Sequence, residues 1–377
     1  MNAAPRRIVM LCDWLPPDFG AVGQYALADA RALADSGAEV MLVGFTSGPG
    51  RVEAALAGAG SLVVRRVHRP VYDRSDFVRR ALWTLGANLA LLWAVRDRLR
   101  HCDELRFTGS PPYLLHFVMP LAWLLDLRTR YRITDFHPEC LIAALGRTPL
   151  LLGLLQRLTV FWRRRVDTLE VLGDDQRERL AECGVDTTRV LLRRDPSPVE
   201  FGPDDRPAAA PAALAGAPVV LYSGNWGVAH DADTFVDGYA RACAAGLCAG
   251  LWLNATGAQA DTVESACQAR GLAVARTRPV PLAELPGVLL AADVHLITLR
   301  DAFVGFVLPS KVYACIASGR PILFIGSARS DVHRLCEAAL GTARYRRVDV
   351  GDAAGVAVAL RELLAARDPG QSRESVA

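Results

Sequence analysis

Ser310 and Lys311 place a hydroxyl beside an ammonium in the run GFVLPSKVYACIASGRP, residues 305–321. Proline is tolerated in the first turn of a helix and glycine is favoured just past its end, so Pro309 and Gly319 bracket an expected helix of about ten residues. The pair then stands at the helix N-terminus, where unpaired N–H groups, the dipole and the lysine charge together favour a phosphate or diphosphate. A capped helix with a solvated lysine would give the same pattern.

Three further stretches gather chemistry. In TDFHPEC, residues 134–140, Asp135, His137 and Glu139 alternate after a strand pattern. A histidine flanked by two carboxylates at a strand end is a candidate for catalysis, with Asp135 orienting the imidazole; a structural histidine is the alternative. In YSGNWGVAHDAD, residues 222–233, Gly224 and Gly227 flank Asn225 and Trp226. Backbone amides there can hold a phosphate, with Asn225 or His230 as side-chain donors. The same residues also suit a tight turn whose Asp231 caps the next helix. In residues 13–23, Gly20 and Gly23 let the backbone approach a ligand at a helix start, or simply turn a plain loop. There is no G-x-G-x-x-G fingerprint, so NAD fits poorly.

These loops need a scaffold, and the pattern supplies strands alternating with helices. RRIVMLCDW, AEVMLVGF, SLVVRRV, DELRFTG, RYRITDF, DTLEVLG and RVLLRR read as strands. Helices are expected from YALADARALADSG and over 76–99, 114–127, 149–164 and 174–183. DPSPVEFGPDDRPAAAPAALAGAP is proline-rich and reads as a linker. A second series follows: VVLYSG, a helix over 232–245, GLWLNATG, a helix over 261–270, a short helix and strand in LAELPGVLLAADVHLITL, the helix after Pro309, PILFIG, and helices over 331–339 and 352–366. Such alternation implies parallel sheets covered on both faces. The expected domains are 1–195, a linker at 196–217, 218–366, and a flexible tail at 367–377, each sheet having five to seven strands. Ligands in such sheets bind beyond the carboxyl ends of the strands, and the four loops fall two per domain, which suits a ligand in the cleft between them.

Composition narrows the partners. At 377 residues, 51% hydrophobic and 22% charged, the chain is globular, and a net charge of +3 gives no reason to expect nucleic acid. Nine cysteines without a C-x-x-C pair fit a reducing cytosol and no structural metal. Arginines recur beside long apolar runs between Arg65 and Arg165, a mixture suited to an anionic membrane surface or to core helices with basic ends. The uncharged runs 81–95 and 110–125 fall short of the roughly 20 residues a spanning helix needs, and MNAAPRRIVMLCDW lacks the pattern of a signal peptide.

YSGNWGVAHDADTF, AADVHLITL and VLPSKVYACIASGRPILFIG together resemble the donor half of bacterial GT-B glycosyltransferases of family 4, in the surface-polysaccharide branch with a P-S-K-x-Y motif. CDWLPPDFGAVGQYALADARALADSGAEV resembles that family's glycine loop and first helix, and ITDFHPE its D-x-x-P-E loop. The resemblance implies an α/β fold of GT-B architecture, two doubly wound Rossmann-like domains with parallel sheets facing a central cleft. It implies a retaining hexosyltransferase without catalytic metal or cofactor, whose UDP- or GDP-linked sugar is a substrate. The implied acceptor is a glycan or a polyprenyl-diphosphate-linked sugar, and the implied location is cytoplasmic, peripheral at the inner face of the cell membrane. Residue by residue it implies donor contacts at Gly20, Gly23, Gly224, Asn225, His230, Ser310, Lys311 and Tyr313, and catalytic roles for His137, Asp135 and Glu139. The chain departs from the family at its two glutamates eight positions apart: the second falls on Ala314, and the first has no counterpart near Asp301 or Phe306. The family's arginine and lysine after the first C-terminal strand fall near Asn225 and His230, leaving Lys311, Arg193 or Arg194 to compensate. Two other readings stay open, a sugar-nucleotide epimerase or hydrolase on the same fold and a catalytically silent nucleotide-binding scaffold.

Overall fold

RIVMLCDW buries five consecutive residues, Ile8–Cys12, and a strand buried on both faces must lie inside a sheet with cover on each side. In the computed structural model, residues 5–18, 21–70 and 77–365 are described. Gly20, the expected helix start at Asp76 and the expected tail at 367–377 lie outside them. The chain divides into Met1–Arg194 and Asp195–Ala377.

The first unit has one eight-stranded sheet, ordered β3-β4-β2-β1-β5-β6-β7-β8. Its strands are β1 (Arg7–Trp14), β2 (Glu39–Thr46), β3 (Arg51–Ala57), β4 (Gly60–His68), β5 (Glu104–Thr108), β6 (Arg128–Arg132), β7 (Thr168–Val171) and β8 (Val190–Leu192). All pairs are parallel except β3 with β4. The sheet therefore has one more strand than expected, and it is not wholly parallel. The hairpin strand β3 escapes a hydrophobic-run reading because RVEAALA lies at the exposed sheet edge. The helices are α1 (Ala21–Asp35), α2 (Phe77–Leu99), α3 (Leu115–Leu124), α4 (Glu139–Leu145), α5 (Leu150–Arg163) and α6 (Asp174–Glu182). α4 was not expected.

The second unit has six parallel strands ordered β11-β10-β9-β12-β13-β14, in which β9, β10 and β11 run outward from the centre and β12 begins the other half. These are β9 (Val219–Asn225), β10 (Gly250–Thr256), β11 (Val274–Thr277), β12 (Val294–Thr298), β13 (Ile322–Ile325) and β14 (Tyr345–Val348). The order 3-2-1-4-5-6 is that of a doubly wound dinucleotide-type sheet, and its switch point lies between β9 and β12. In the first unit the equivalent reversal lies between β1 and β5. The edge strands β11 and β14 have four residues each and were not anticipated. α7 (Asp233–Ala244), α8 (Ala258–Ala269), α9 (Leu285–Leu290), α10 (Lys311–Ala317), α11 (Asp331–Arg344) and α12 (Ala353–Ala365) complete the unit.

The proline-rich segment 196–217 is not a free linker. Val199 and Leu214 are buried with Leu221, Trp252 and Val288, and the N–H of Ala208 donates to the Gly287 carbonyl at 2.8 Å. It is part of the second unit's core.

In the first unit, Ile8, Met10 and Cys12 pack on Ala26, Leu27, Ala30 and Ala34 of α1. Small residues let the helix lie close, and Gly23 makes the closest approach: a Cβ there would stand 1.8 Å from the Trp14 carbonyl oxygen. Gly23 was expected to face a ligand, but its space is filled by the end of β1. Gly23→Ala is expected to lower stability by about 1–3 kcal/mol, as overpacking does, and a urea unfolding curve measures this.

Candidate functional sites

At the second unit's switch point, β9 ends in Tyr222-Ser223-Gly224-Asn225. The loop after it is bound to the loop after β12: His230 meets the Thr298 carbonyl through Nδ1 at 2.6 Å, and the N–H of Arg300 donates to the Ala229 carbonyl at 2.9 Å. Trp226 stacks on Tyr222 with ring centroids 3.8 Å apart, and its indole N–H donates to the Asp231 carbonyl. The loop after β12 then turns into α10, whose first residue is Lys311.

Lys311 extends back over β9. Its Nζ lies 3.1 Å from the centroid of the Tyr222 ring, on which Trp226 is stacked, and beside Gly224. Gly224 has φ of +120°, which only glycine adopts readily, and the missing Cβ leaves the strand's last turn open beside the ammonium. That nitrogen is enclosed by protein and makes no hydrogen bond. A desolvated cation–π contact stabilises by about 2 kcal/mol, whereas removing an ammonium from water costs several. The ring cannot offset the loss, and burial pulls the Lys311 pKa down to about 7.

The remaining expected donor residues are placed unevenly. Asn225 is exposed at the end of β9, and Tyr313 is half-buried in the first turn of α10. Ser310 is exposed, but its hydroxyl does not cap the helix, and α10 has seven residues where about ten were expected. His230 is no charged phosphate donor: it is buried, engaged with Thr298, and held neutral by burial and by Lys311, with its pKa down to about 3. Ala314 is buried in the apolar cluster around Trp252, so no carboxylate stands there.

At the first unit's switch point three loops meet. The Ser110 hydroxyl after β5 donates to Asp13 Oδ2 near the end of β1 at 2.6 Å, and Asn88 of α2 donates to the Pro112 carbonyl at 3.0 Å. The same loop presents Tyr113, whose ring centroid lies 5.9 Å from that of His137, after β6. Tyr113 has φ of +67°, costly for a residue with a side chain and found where surrounding structure enforces it. Beside it, His116 meets the Thr159 hydroxyl at 3.1 Å, and burial lowers its pKa to about 4.

Of the three expected catalytic side chains, two remain accessible. Asp135 is exposed and His137 half-buried. Glu139 is not the free catalytic carboxylate expected. It is buried at the start of α4 and accepts two hydrogen bonds from Arg163, at 2.5 and 3.1 Å. Arg163 is itself fully buried, packs on Phe136, and donates to the His137 carbonyl at 3.2 Å. The Glu139–Arg163 pair holds the loop that presents His137; it is not free for proton transfer.

Tyr113, Arg163 and Tyr222 are not among the residues expected from sequence. SPPY immediately after the strand of residues 103–109 was the available signal for Tyr113. Arg163 lay hidden in an arginine run, and nothing local indicated that Tyr222 would face Lys311 from 89 positions away.

The fold is that of the GT-B glycosyltransferases, with two Rossmann-like units. It resembles an α,α-trehalose-6-phosphate synthase of Burkholderia multivorans, with a TM-score of 0.61 at 15% identity over 97% of this chain and 91% of that one. It also resembles Anabaena Alr3699/HepE, solved with UDP and glucose, with a TM-score of 0.56 at 11% identity over 96% and 94%. By sequence the chain is similar to the probable glycosyltransferase WbjE of Pseudomonas aeruginosa, 28% identical over 263 residues, covering 66% of this chain and 64% of that protein. No family model matches the chain.

Lys311→Met replaces an enclosed, unpaired ammonium by an apolar group of similar length. It is expected to raise the melting temperature of the ligand-free protein, measured by calorimetry near pH 7. The sign follows from the pKa: between about 7 and the ordinary lysine value the unfolded chain binds a proton that the folded one does not, so this penalty on folding grows as pH falls through that range.

Proposed function

We propose that the chain is a retaining, metal-independent glycosyltransferase of family 4 that takes a hexose from a UDP- or GDP-sugar and transfers it to a glycan acceptor. The observation that carries the reading is the unpartnered ammonium of Lys311 beside Gly224 at a switch point between parallel strands. A buried charge without a partner is destabilising, and a diphosphate would supply the partner. In this reading Lys311, the open backbone at Gly224 and Asn225, and the exposed Ser310 hydroxyl take the donor diphosphate, with Tyr313 on the same helix. The leaving nucleoside diphosphate gains charge as the glycosidic bond breaks, and a fixed ammonium stabilises that charge more than it stabilises the ground state. The acceptor oxygen bonds to the anomeric carbon on the face from which the diphosphate leaves. Its proton ends on the departing phosphate.

His137 contacts the transferred sugar or the acceptor hydroxyl, with Asp135 beside it. Further parts of the proposal are a polyprenyl-diphosphate-linked acceptor, a role in surface polysaccharide synthesis, and a peripheral cytoplasmic position at the membrane. Similarity to the probable glycosyltransferase of Pseudomonas aeruginosa, and the UDP and glucose bound by the Anabaena structure, support this class of chemistry. Buried Ala314 favours a second reading, a silent member that binds nucleotide without turnover.

Titration calorimetry with UDP and GDP tests the donor site. Binding should re-protonate Lys311, so at pH 8.5 uptake should approach about one proton, read from buffers of different ionisation enthalpy. Lys311→Ala should abolish that uptake and weaken affinity by roughly 1.5–3 kcal/mol, as loss of a charge-assisted hydrogen bond does. Unchanged affinity and uptake would remove the assignment. His137→Ala should leave nucleotide affinity intact and lower turnover about 10–10²-fold, as loss of one substrate hydrogen bond does. An unaffected rate would make it a structural histidine, and nucleotide binding without transfer by the wild type would select the silent reading.

A further inference from the structure

A helix that covers a sheet normally turns its apolar stripe inward and its polar face to water. α5 does otherwise. Its outward stripe is Leu150, Leu151, Leu154, Leu158 and Phe161, with Leu150 and Leu151 each 79% exposed, while Thr159 and Arg163 face inward. Neighbouring helices share the feature. α3 packs against α5 through His116 and Thr159, and Trp123 and Leu124 at its end are 76% and 75% exposed. α2, beside α3, exposes Leu82, Leu85, Leu89 and Trp93. Of the eighteen large exposed apolar side chains among the described residues, twelve lie between Leu82 and Phe161. Monomeric soluble proteins rarely leave contiguous apolar patches beyond about 300–600 Å² uncovered.

The charges choose the occupant. Between Glu139 and Asp167 there is no acidic residue, and Arg147, Arg157, Arg164 and Arg165 are all exposed. On α2 the Arg96 guanidinium lies 4.1 Å from the Trp93 ring centroid, an aromatic and basic pairing suited to a headgroup boundary. A second copy of this face would oppose arginines with arginines, which disfavours self-association. An anionic lipid leaflet complements both the leucines and the arginines. No helix among the described residues is long and apolar enough to cross a membrane, so the contact lies in the plane of the surface.

We propose that the outward faces of α2, α3 and α5 dock the first unit onto an anionic lipid leaflet, with the leucines of α5 inserted and its arginines at the headgroups. This deepens the peripheral-membrane reading above. Co-sedimentation of the full chain with phosphatidylcholine vesicles, alone or mixed with phosphatidylglycerol, tests it. The wild type should bind the mixed vesicles at least about tenfold more tightly than the neutral ones. The double variant Leu151→Glu, Leu154→Glu should lose at least about tenfold in affinity for mixed vesicles, and Arg157→Glu with Arg165→Glu should abolish the preference for anionic lipid. Val358→Glu, an exposed apolar position on α12, should change nothing. UDP and GDP titrations of each variant report the donor site separately. Absent or lipid-indifferent binding by the wild type, with nucleotide binding intact, overturns the docking face and leaves the transferase reading. A dimeric wild type made monomeric by the leucine variant also overturns it, in favour of a second copy.

Discussion

Everything at the second unit's switch point turns on an ammonium that the protein encloses without a hydrogen bond. Lys311 rests on Tyr222, Tyr222 rests on Trp226, and Trp226 is fixed to the Asp231 carbonyl. A folded protein retains such a group only when surrounding structure enforces it, and a ligand of opposite charge is the simplest compensation. The lowered pKa expresses the same unmet need: without a partner the site gives up its proton near neutral pH, and an anion would restore it.

The first unit solves a different problem, holding His137 at the surface on a loop. It does so with a buried ion pair, Glu139 with Arg163, whose guanidinium also takes the His137 carbonyl. Breaking a buried pair by removing one partner costs far more than the intact pair contributes, so the loop is held in one conformation. Tyr113 is held comparably, in a left-handed conformation beside Asn88 and the Asp13–Ser110 hydrogen bond. Both side chains are thus held at the reversal of strand order, the place where ligands of such sheets bind.

Much of this was legible in the sequence. The long apolar runs marked the central strands because strands buried on both faces have little alternative composition. Lys311, Gly224 and the loop around His137 stood out by residue type at strand and helix ends. What stayed hidden depends on tertiary partners. Glu139 reads as a free carboxylate until Arg163, 24 positions on, is found against it, and His230 reads as a donor until Thr298 takes its Nδ1. The edge strands β11 and β14 are short, and β3 is exposed along the sheet edge, so they lack a hydrophobic signature. The linker misled because proline-rich composition was read as freedom, whereas Val199 and Leu214 fasten it to a core. The basic apolar region was visible throughout, but only the structure shows that the leucines of α5 face outward.

The most direct test of the central claim is a crystal structure of the complex with UDP or GDP. A phosphate oxygen within hydrogen-bonding distance of Lys311 Nζ, close to the backbone of Gly224, is the result this account predicts. A nucleotide bound with its phosphates elsewhere, and Lys311 still lying unpartnered over the Tyr222 ring, would contradict it.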